Sequence, residues 1–316
     1  MRLGGVRLVN SDNYSWQPDN SIDLILTDPP FNIARDTNFH TYEKNTIHSY
    51  RFDADKGWDS YSREDFVKLM ESWAIDAARV LRPGGSFAFF CADDYISDLK
   101  LALEKAGLKP RRTVTWRKPN AVPINSQYMM MSACEYIVVG VKGKKATFNS
   151  SFEESSPISP QESAFIADKL GAIVDMEVKG LISSLSATTS RSQVVNAIEA
   201  LLAGQAGNIT KRVSKLLSTE SGYGLFALPN LVTFNSAGGK RIHPTEKPVA
   251  LLKFFISLMS NPGDIVLDPF AGSASTGHAA IESGRKAVLV EQDKDFYSKA
   301  IERIKDVIGP EDSLIT

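Results

Sequence analysis

The sequence predicts an α/β fold: a mostly parallel sheet assembled from both ends of the chain, with an inserted, mostly helical lobe between them. Three observations carry this expectation. Short apolar runs alternate with helical spacing over residues 1–145. The same alternation returns over 236–316. The intervening residues 146–235 are serine-dense at their start and then show short helical patterns.

Residues 6–9 read as a short strand ending at Ser11-Asp12. Ile22–Thr27 is apolar almost throughout, as a strand covered on both faces must be, and Asp28-Pro29-Pro30 stops it. Helical spacing at Phe66, Leu69, Met70, Trp73, Ala77 and Leu81 predicts a helix over 64–81, ended by Pro83-Gly84-Gly85. A strand over 86–91, a helix over 96–106 stopped by Gly107, and strands over 113–116 and 135–142 follow. In the lobe, 150–163 reads as loop, 166–182 and 192–202 as helices, 211–217 as a basic helix and 221–235 as β-prone. Beyond it come a helix over Val249–Met259 entered through Pro248, a strand over 264–268 and a helix over 275–283 stopped by Gly284. A strand over 287–291 and a closing helix over 295–307 complete the pattern.

Composition narrows the function classes. Hydrophobic residues make up 43% and charged residues 23%, the net charge is −1 and the pI about 6.5. That balance excludes an overall cationic coat but leaves room for a local basic cleft. The two cysteines, Cys91 and Cys134, lack CxxC spacing, and the four histidines lack metal-ligand spacing, so no metal site is expected. The first residues have no apolar signal region and no apolar stretch reaches about 18 residues, so a soluble, cytoplasmic protein is expected.

Three constellations carry chemistry. Asp28-Pro29-Pro30-Phe31 leaves the carboxyl end of a buried strand, where open α/β sheets bind ligands. The prolines stiffen the loop, and a carboxylate, a carbonyl and a flat ring side by side suit a planar group bearing NH₂. Asp268-Pro269-Phe270-Ala271-Gly272-Ser273 joins a strand to a helix, and Glu291 ends the next strand 19 residues after Gly272. Glycine admits a ligand to the backbone, and an acid at that distance commonly binds ribose hydroxyls. His243-Pro244-Thr245-Glu246-Lys247-Pro248 sets a hydroxyl and a cation at a helix entry.

DPPF early, HPTEKP in the last third and DPFAGSAST close behind resemble the amino-group DNA methyltransferases of the β arrangement, in which the catalytic motif precedes the target-recognition region and the cofactor motif comes last. RVLRPGGSFAFF (79–90) is similar to the family's helix–turn–strand after the catalytic loop. The resemblance covers 1–145 and 236–308. It implies a Rossmann-like, S-adenosylmethionine-dependent methyltransferase sheet with 146–235 as a target-recognition lobe. It departs at Ala274, where the family has a second glycine. The turn is expected to form with residue 274 at a helical φ, at a slight cost in cofactor affinity.

Carried over residue by residue, the resemblance implies that Asp28 and the Pro29 carbonyl accept from the target amino group, within the rigid frame of Pro30, while Phe31 stacks on the base. Asp268, Phe270, Gly272 and Ser273 would line the cofactor site, and Glu291 would hold the ribose. Asp12 would touch the adenine of the cofactor, and Thr245 and Lys247 would meet its carboxylate end. The base must be flipped from double-stranded DNA to react. Arg117 and Lys118, with Lys211, Arg212 and Lys215, are the expected DNA cations. A second copy of the chain and a restriction endonuclease are the protein partners the resemblance admits.

The resemblance points to adenine N6 as the target, because family members acting on cytosine N4 more often carry Ser in place of Asp28. N4-cytosine methylation is the nearest rival. RNA or protein amino methyltransferases usually carry Asn-Pro-Pro-Tyr after the cofactor motif, the reverse of the order here. A non-catalytic DNA-binding module is the remaining alternative.

Overall fold

The computed structural model describes residues 1–32, 61–121, 130–149, 230–237 and 246–309, and the backbone course of 39–43 and 46–50. In chain order the elements are β1 (Arg2–Leu3), β2 (Val6–Asn10), β3 (Ile22–Thr27), β4 (Phe39–Glu43), β5 (Thr46–Tyr50), α1 (Arg63–Val80) and β6 (Leu81–Cys91). Then come α2 (Ile96–Lys105), β7 (Lys109–Arg117), β8 (Cys134–Val141), β9 (Leu231–Thr233) and α3 (Val249–Met259). The chain closes with β10 (Ile265–Asp268), α4 (Ser275–Glu282), β11 (Lys286–Glu291) and α5 (Lys294–Ile308).

Nine strands of the described residues form one sheet in the order β1-β2-β11-β10-β3-β6-β8-β7-β9. From β2 to β6 every pairing is parallel, whereas β8 runs antiparallel to both β6 and β7. From β10 the chain moves through α4 to β11 on one side. From β3 it moves through α1 to β6 on the other. The neighbours β10 and β3 therefore flank the topological switch point, and the crevice beyond their carboxyl ends is where such sheets take ligands.

Both sheet faces are covered, which explains the continuous apolar runs. Val288 and Val290 of β11 pack in the core with Trp73 of α1. On the opposite face, a Cβ at Gly277 of α4 would lie 2.5 Å from Leu289 and 2.9 Å from Ile304, so only glycine lets α4 seat this closely. In β3 all residues but Asp23 are buried. Asp23 is satisfied by an ion pair with Arg82 and by the Ile265 N–H, 2.8 Å away. Ser62 caps α1, accepting from Asp65 N at 3.1 Å, and Phe66, Met70, Trp73, Ala77 and Val80 line its buried face.

One local expectation needs correction, and two features add to the sequence reading. Pro83-Gly84-Gly85 lies inside β6, because Leu81 already turns extended at the end of α1. The hairpin β4–β5 and the short edge strand β1 carry no pattern that the sequence reading detected. Of the β-prone segment 221–235, residues 230–235 are described, and β9 lies there, parallel to β7.

Contacts divide the chain into one unit, Met1–Phe148 with Asn230–Thr316, and a second, Asn149–Pro229. The loop expected over 150–163 and the helices expected over 166–182, 192–202 and 211–217 lie outside the described residues. No helix among the described residues is long and apolar enough to cross a membrane.

Candidate active site

The ends of β3 and β10 are stitched together by a buried carboxylate. Asp268 Oδ1 accepts from Thr27 Oγ1 at 2.7 Å and from Phe270 N at 3.1 Å, and its Oδ2 accepts from Thr276 Oγ1 at 2.6 Å. Burial pushes the Asp268 carboxyl up, and these three donors oppose the shift. Its oxygens are thus engaged within the protein. They join the residue before Asp28 to the turn after β10.

That turn is tight. Gly272 has φ +49 and Ala274 φ +60, both left-handed. The expectation of a helical φ at Ala274 is therefore corrected. The structure bends there regardless of the methyl group, because Ala274 N donates to Ala271 O at 2.8 Å while Ala274 O accepts from His278 N at 3.0 Å. Holding alanine left-handed costs roughly 1–2 kcal/mol. Glu291, at the end of β11, reaches the turn. Its Oε2 accepts from Gly272 N at 2.7 Å and its Oε1 from Asp293 N at 2.8 Å. Burial raises its carboxyl, the two N–H groups oppose this, and the side chain remains partly exposed. Asp12 is exposed, two residues beyond β2, the strand whose Asn10 pairs with Glu291. Ser273 is buried, and Phe270 packs edge-on against Trp73 at 5.1 Å.

Asp28 begins the loop after β3. Its Oδ2 lies 2.8 Å from Lys247 Nζ, while its Oδ1 is buried with no hydrogen-bond partner. Lys247 Nζ also lies 3.1 Å from Glu135 Oε2, and 5.1 Å from the ring centroids of both Phe31 and Phe90. Lys118 Nζ holds the other oxygen of Glu135 at 3.1 Å. The side chains of Lys247, Asp28, Glu135 and Lys118 are 7%, 22%, 21% and 16% exposed. The result is an alternating row of charges, Lys118–Glu135–Lys247–Asp28. Burial lifts Asp28 to about 7, with Lys247 opposing and Glu135 and Asp268 adding to the rise. Burial alone would lower Lys247, but its two carboxylates outweigh that and hold it up. Burial would likewise raise Glu135, but the two lysines outweigh it and hold it down.

Asn32 anchors the far end of the loop. It is buried at φ +55, which asparagine tolerates better than most residues. Its Nδ2 donates to Tyr95 Oη at 2.8 Å and Tyr61 O at 3.1 Å, and its Oδ1 accepts from Tyr61 N at 2.7 Å. Pro29 is buried, Pro30 and Phe31 half-buried, and with Phe66, Trp73 and Phe90 they line a small apolar cavity.

The structure thus gathers Asp28, Phe31 and Lys247 in one group and Phe270, Gly272, Ser273 and Glu291 in another, with Asp268 tying the two. Lys247 sits on Asp28 here, not among the cofactor-turn residues. Lys118, expected to face DNA, is turned inward onto Glu135, whereas Arg117 is exposed. Thr245, Lys211, Arg212 and Lys215 lie outside the described residues. Sequence reasoning missed Glu135, Asn32 and Arg303. Arg303 Nη1 donates to Glu246 Oε1 at 2.8 Å and to Ser273 Oγ at 3.1 Å. Glu246 is therefore linked through Arg303 to the turn of Ser273, and its neighbour Lys247 reaches the loop of Asp28. A lone acid inside the apolar run ACEYIVV was the available signal for Glu135.

Among solved structures, M1.HpyAVI in complex with SAM aligns with a TM-score of 0.54 at 22% identity, covering 95% of this chain and 98% of that one. The PvuII DNA methyltransferase, cytosine-N4-specific, aligns with a TM-score of 0.55 at 15% identity, covering 97% and 94%. At such identities the likeness speaks for the fold alone, an α/β fold on one large, mostly parallel sheet. Over 62 residues the chain is 55% identical to the DNA adenine methyltransferase YhdJ of Escherichia coli (strain K12). That stretch is 20% of this chain and about a fifth, 21%, of YhdJ. The family model for N6/N4 methylases, described as DNA methylase, matches residues 22–302, from the first residue of β3 to within α5. With the loop of Asp28 and the turn of Gly272 both inside that span, the chain belongs to the N6/N4 DNA methylase family.

Proposed function

We propose that the protein transfers a methyl group from S-adenosylmethionine to adenine N6 of a base flipped out of double-stranded DNA. One observation carries the reading. Asp28 Oδ1 is a buried acceptor with no partner, next to an Oδ2 already engaged by Lys247. Leaving such an atom unmatched costs roughly 1–3 kcal/mol, which supports a donor that arrives with the substrate. The amino group of a base is such a donor. Asp28 Oδ1 takes one of its hydrogens and the Pro29 carbonyl the other. The nitrogen lone pair is thereby drawn out of the ring. Phe31 offers the base a stacking face, and Pro30 keeps the loop stiff.

The cofactor-turn residues fit S-adenosylmethionine. Glu291 is fixed by two backbone N–H groups yet partly exposed at the carboxyl edge of the sheet, free to accept ribose hydroxyls. Asp12, exposed two residues beyond β2 with its Oδ1 accepting from Asn13 Nδ2 at 2.8 Å, is proposed to meet the adenine ring through its other oxygen. When bound, the cofactor supplies a methyl group already activated on a sulfonium. Orientation and hydrogen-bond polarisation by the chain then contribute most of the acceleration.

Adenine is favoured by the carboxylate at position 28 and by the stretch shared with a relative named for adenine. The segment 146–235 is proposed to read the target sequence, with Lys211, Arg212 and Lys215 on its phosphates and Arg117 on the catalytic unit. Incubation with S-adenosylmethionine and unmethylated genomic DNA, followed by nucleoside mass spectrometry, tests the reading. N6-methyldeoxyadenosine is expected. N4-methyldeoxycytidine would transfer the assignment to cytosine, and unmodified DNA would overturn it.

A further inference from the structure

We infer that Glu135 is a positioning residue for Asp28: it holds Lys247 in a divided ion pair, so that Lys247 engages Asp28 through Oδ2 while Oδ1 stays open. The inference rests on the functional reading above only for what that open oxygen does.

Glu135 stands one residue inside β8. Because β8 runs antiparallel to β6, its start lies at the carboxyl edge of the parallel strands, where Tyr136 pairs with Cys91. Glu135 is thereby delivered to the catalytic edge from a strand that carries none of the recognised motifs. Its two oxygens are divided between lysines, Lys118 Nζ and Lys247 Nζ each 3.1 Å away. Lys247 is 7% exposed and bounded by two aromatic rings, so its ammonium group is confined between the two carboxylates. Shared between the two carboxylates, Lys247 meets each through a single oxygen, Asp28 Oδ2 at 2.8 Å and Glu135 Oε2 at 3.1 Å. Asp28 keeps Oδ1 without a hydrogen-bond partner, and Glu135 Oε2 meets Lys247 by charge alone, without a hydrogen bond.

The charged groups facing Asp28 are Lys247, Glu135 and Asp268, with Lys118 beyond Glu135. Lys247 favours the ionised Asp28, while Glu135 and Asp268 disfavour it. Neutralising Glu135 removes a like charge and frees Lys247 for Asp28 alone, so both effects push the titration of Asp28 down. Neutralising Lys118 leaves Glu135 less compensated and pushes it up.

The test follows the Asp28 side-chain carboxyl by carbon NMR across pH in the full chain without DNA or cofactor. In Glu135→Gln its midpoint should fall by about one pH unit. In Lys118→Gln it should rise. These opposite signs separate the proposal from general loosening, and the second variant serves if the first fails to fold. An unchanged Asp28 midpoint in Glu135→Gln, or shifts of the same sign in both variants, overturns the proposal. The NMR result stands whether or not the wild-type protein methylates DNA, so failure of the functional reading shows separately, as absence of product from wild type. With an active wild type, Glu135→Gln should also lose about tenfold or more in single-turnover rate while cofactor affinity is kept. A loss explained wholly by weaker cofactor binding would count against it.

Discussion

Thr27 donates its hydroxyl to Asp268 at 2.7 Å, joining the last residues of β3 and β10 across 241 positions of sequence. The loop of Asp28 starts one residue after Thr27 and the turn of Gly272 one residue after Asp268. This bond ties the starts of the two together, at the point where the sheet reverses its order. Thr27→Val keeps the shape and deletes the donor, leaving a buried carboxylate with two partners. Stability should fall by roughly 1–3 kcal/mol. Denaturant unfolding measures this, and a change within about 0.5 kcal/mol, ordinary for an inert surface site, would show that the bond is not holding the two loops.

The charge state of Asp28 gives the activity a pH dependence of definite sign. Burial, reinforced by Glu135 and Asp268 and opposed by Lys247, lifts its carboxyl to about 7. Only the ionised form leaves Oδ1 as a pure acceptor, so under the proposed role the protonated form below that pH is expected to be inactive. Single-turnover methyl transfer with saturating DNA and cofactor should therefore rise with pH through about 7 and then level off. A rate that is flat there, or that falls as pH rises, is incompatible with this role.

Ala274 inverts the usual effect of a glycine substitution at a helix start. At helical φ, Ala→Gly costs up to about 1 kcal/mol. Here φ is +60, so Ala274→Gly relieves roughly 1–2 kcal/mol of left-handed strain against about 0.8 kcal/mol for the buried methyl. Thermal unfolding of Ala274→Gly should show no loss of stability, and cofactor affinity should be equal or tighter. A loss of about 1 kcal/mol or more would mean that the turn is not strained.

DNA affinity is expected to depend on the segment between the two halves of the sheet. Replacing Lys211, Arg212 and Lys215 with glutamine should weaken DNA binding and flatten its dependence on salt, since each phosphate contact releases counterions. Cofactor affinity should be unchanged. An unaltered slope of log K against log salt would remove these cations from the interface and leave Arg117 as the first to examine.

The legible part of the fold follows from burial. Ile22–Thr27 and residues 287–291 are covered on both faces, so their apolar runs locate β3 and β11 to within a residue. Val249–Met259 was legible end to end, because Pro248 enters it. The three motifs were legible as residues, but their mutual contacts were not. Lys247, Glu135 and Asp28 are far apart in the chain, and only the strand order brings them together. Glu135 was hidden by its apolar neighbours, and Arg303 by its place in a closing helix that carries no motif. Lys118 read as a surface cation because its inward partner is supplied by another strand. The left-handed Ala274 was misjudged because residue type alone argues against that conformation.

Asp28 is proposed to polarise the target amino group and not to hold the cofactor. The most direct measurement compares wild type with Asp28→Asn, in cofactor binding by calorimetry and in N6-methyldeoxyadenosine formed on DNA by mass spectrometry. Asparagine keeps the size of the side chain but loses its charge, along with the pairing with Lys247. Product formation should drop to less than about a tenth of wild type, while cofactor affinity stays within a few-fold. A variant that retains most of the wild-type rate, or one that loses cofactor binding in proportion to activity, would contradict the account.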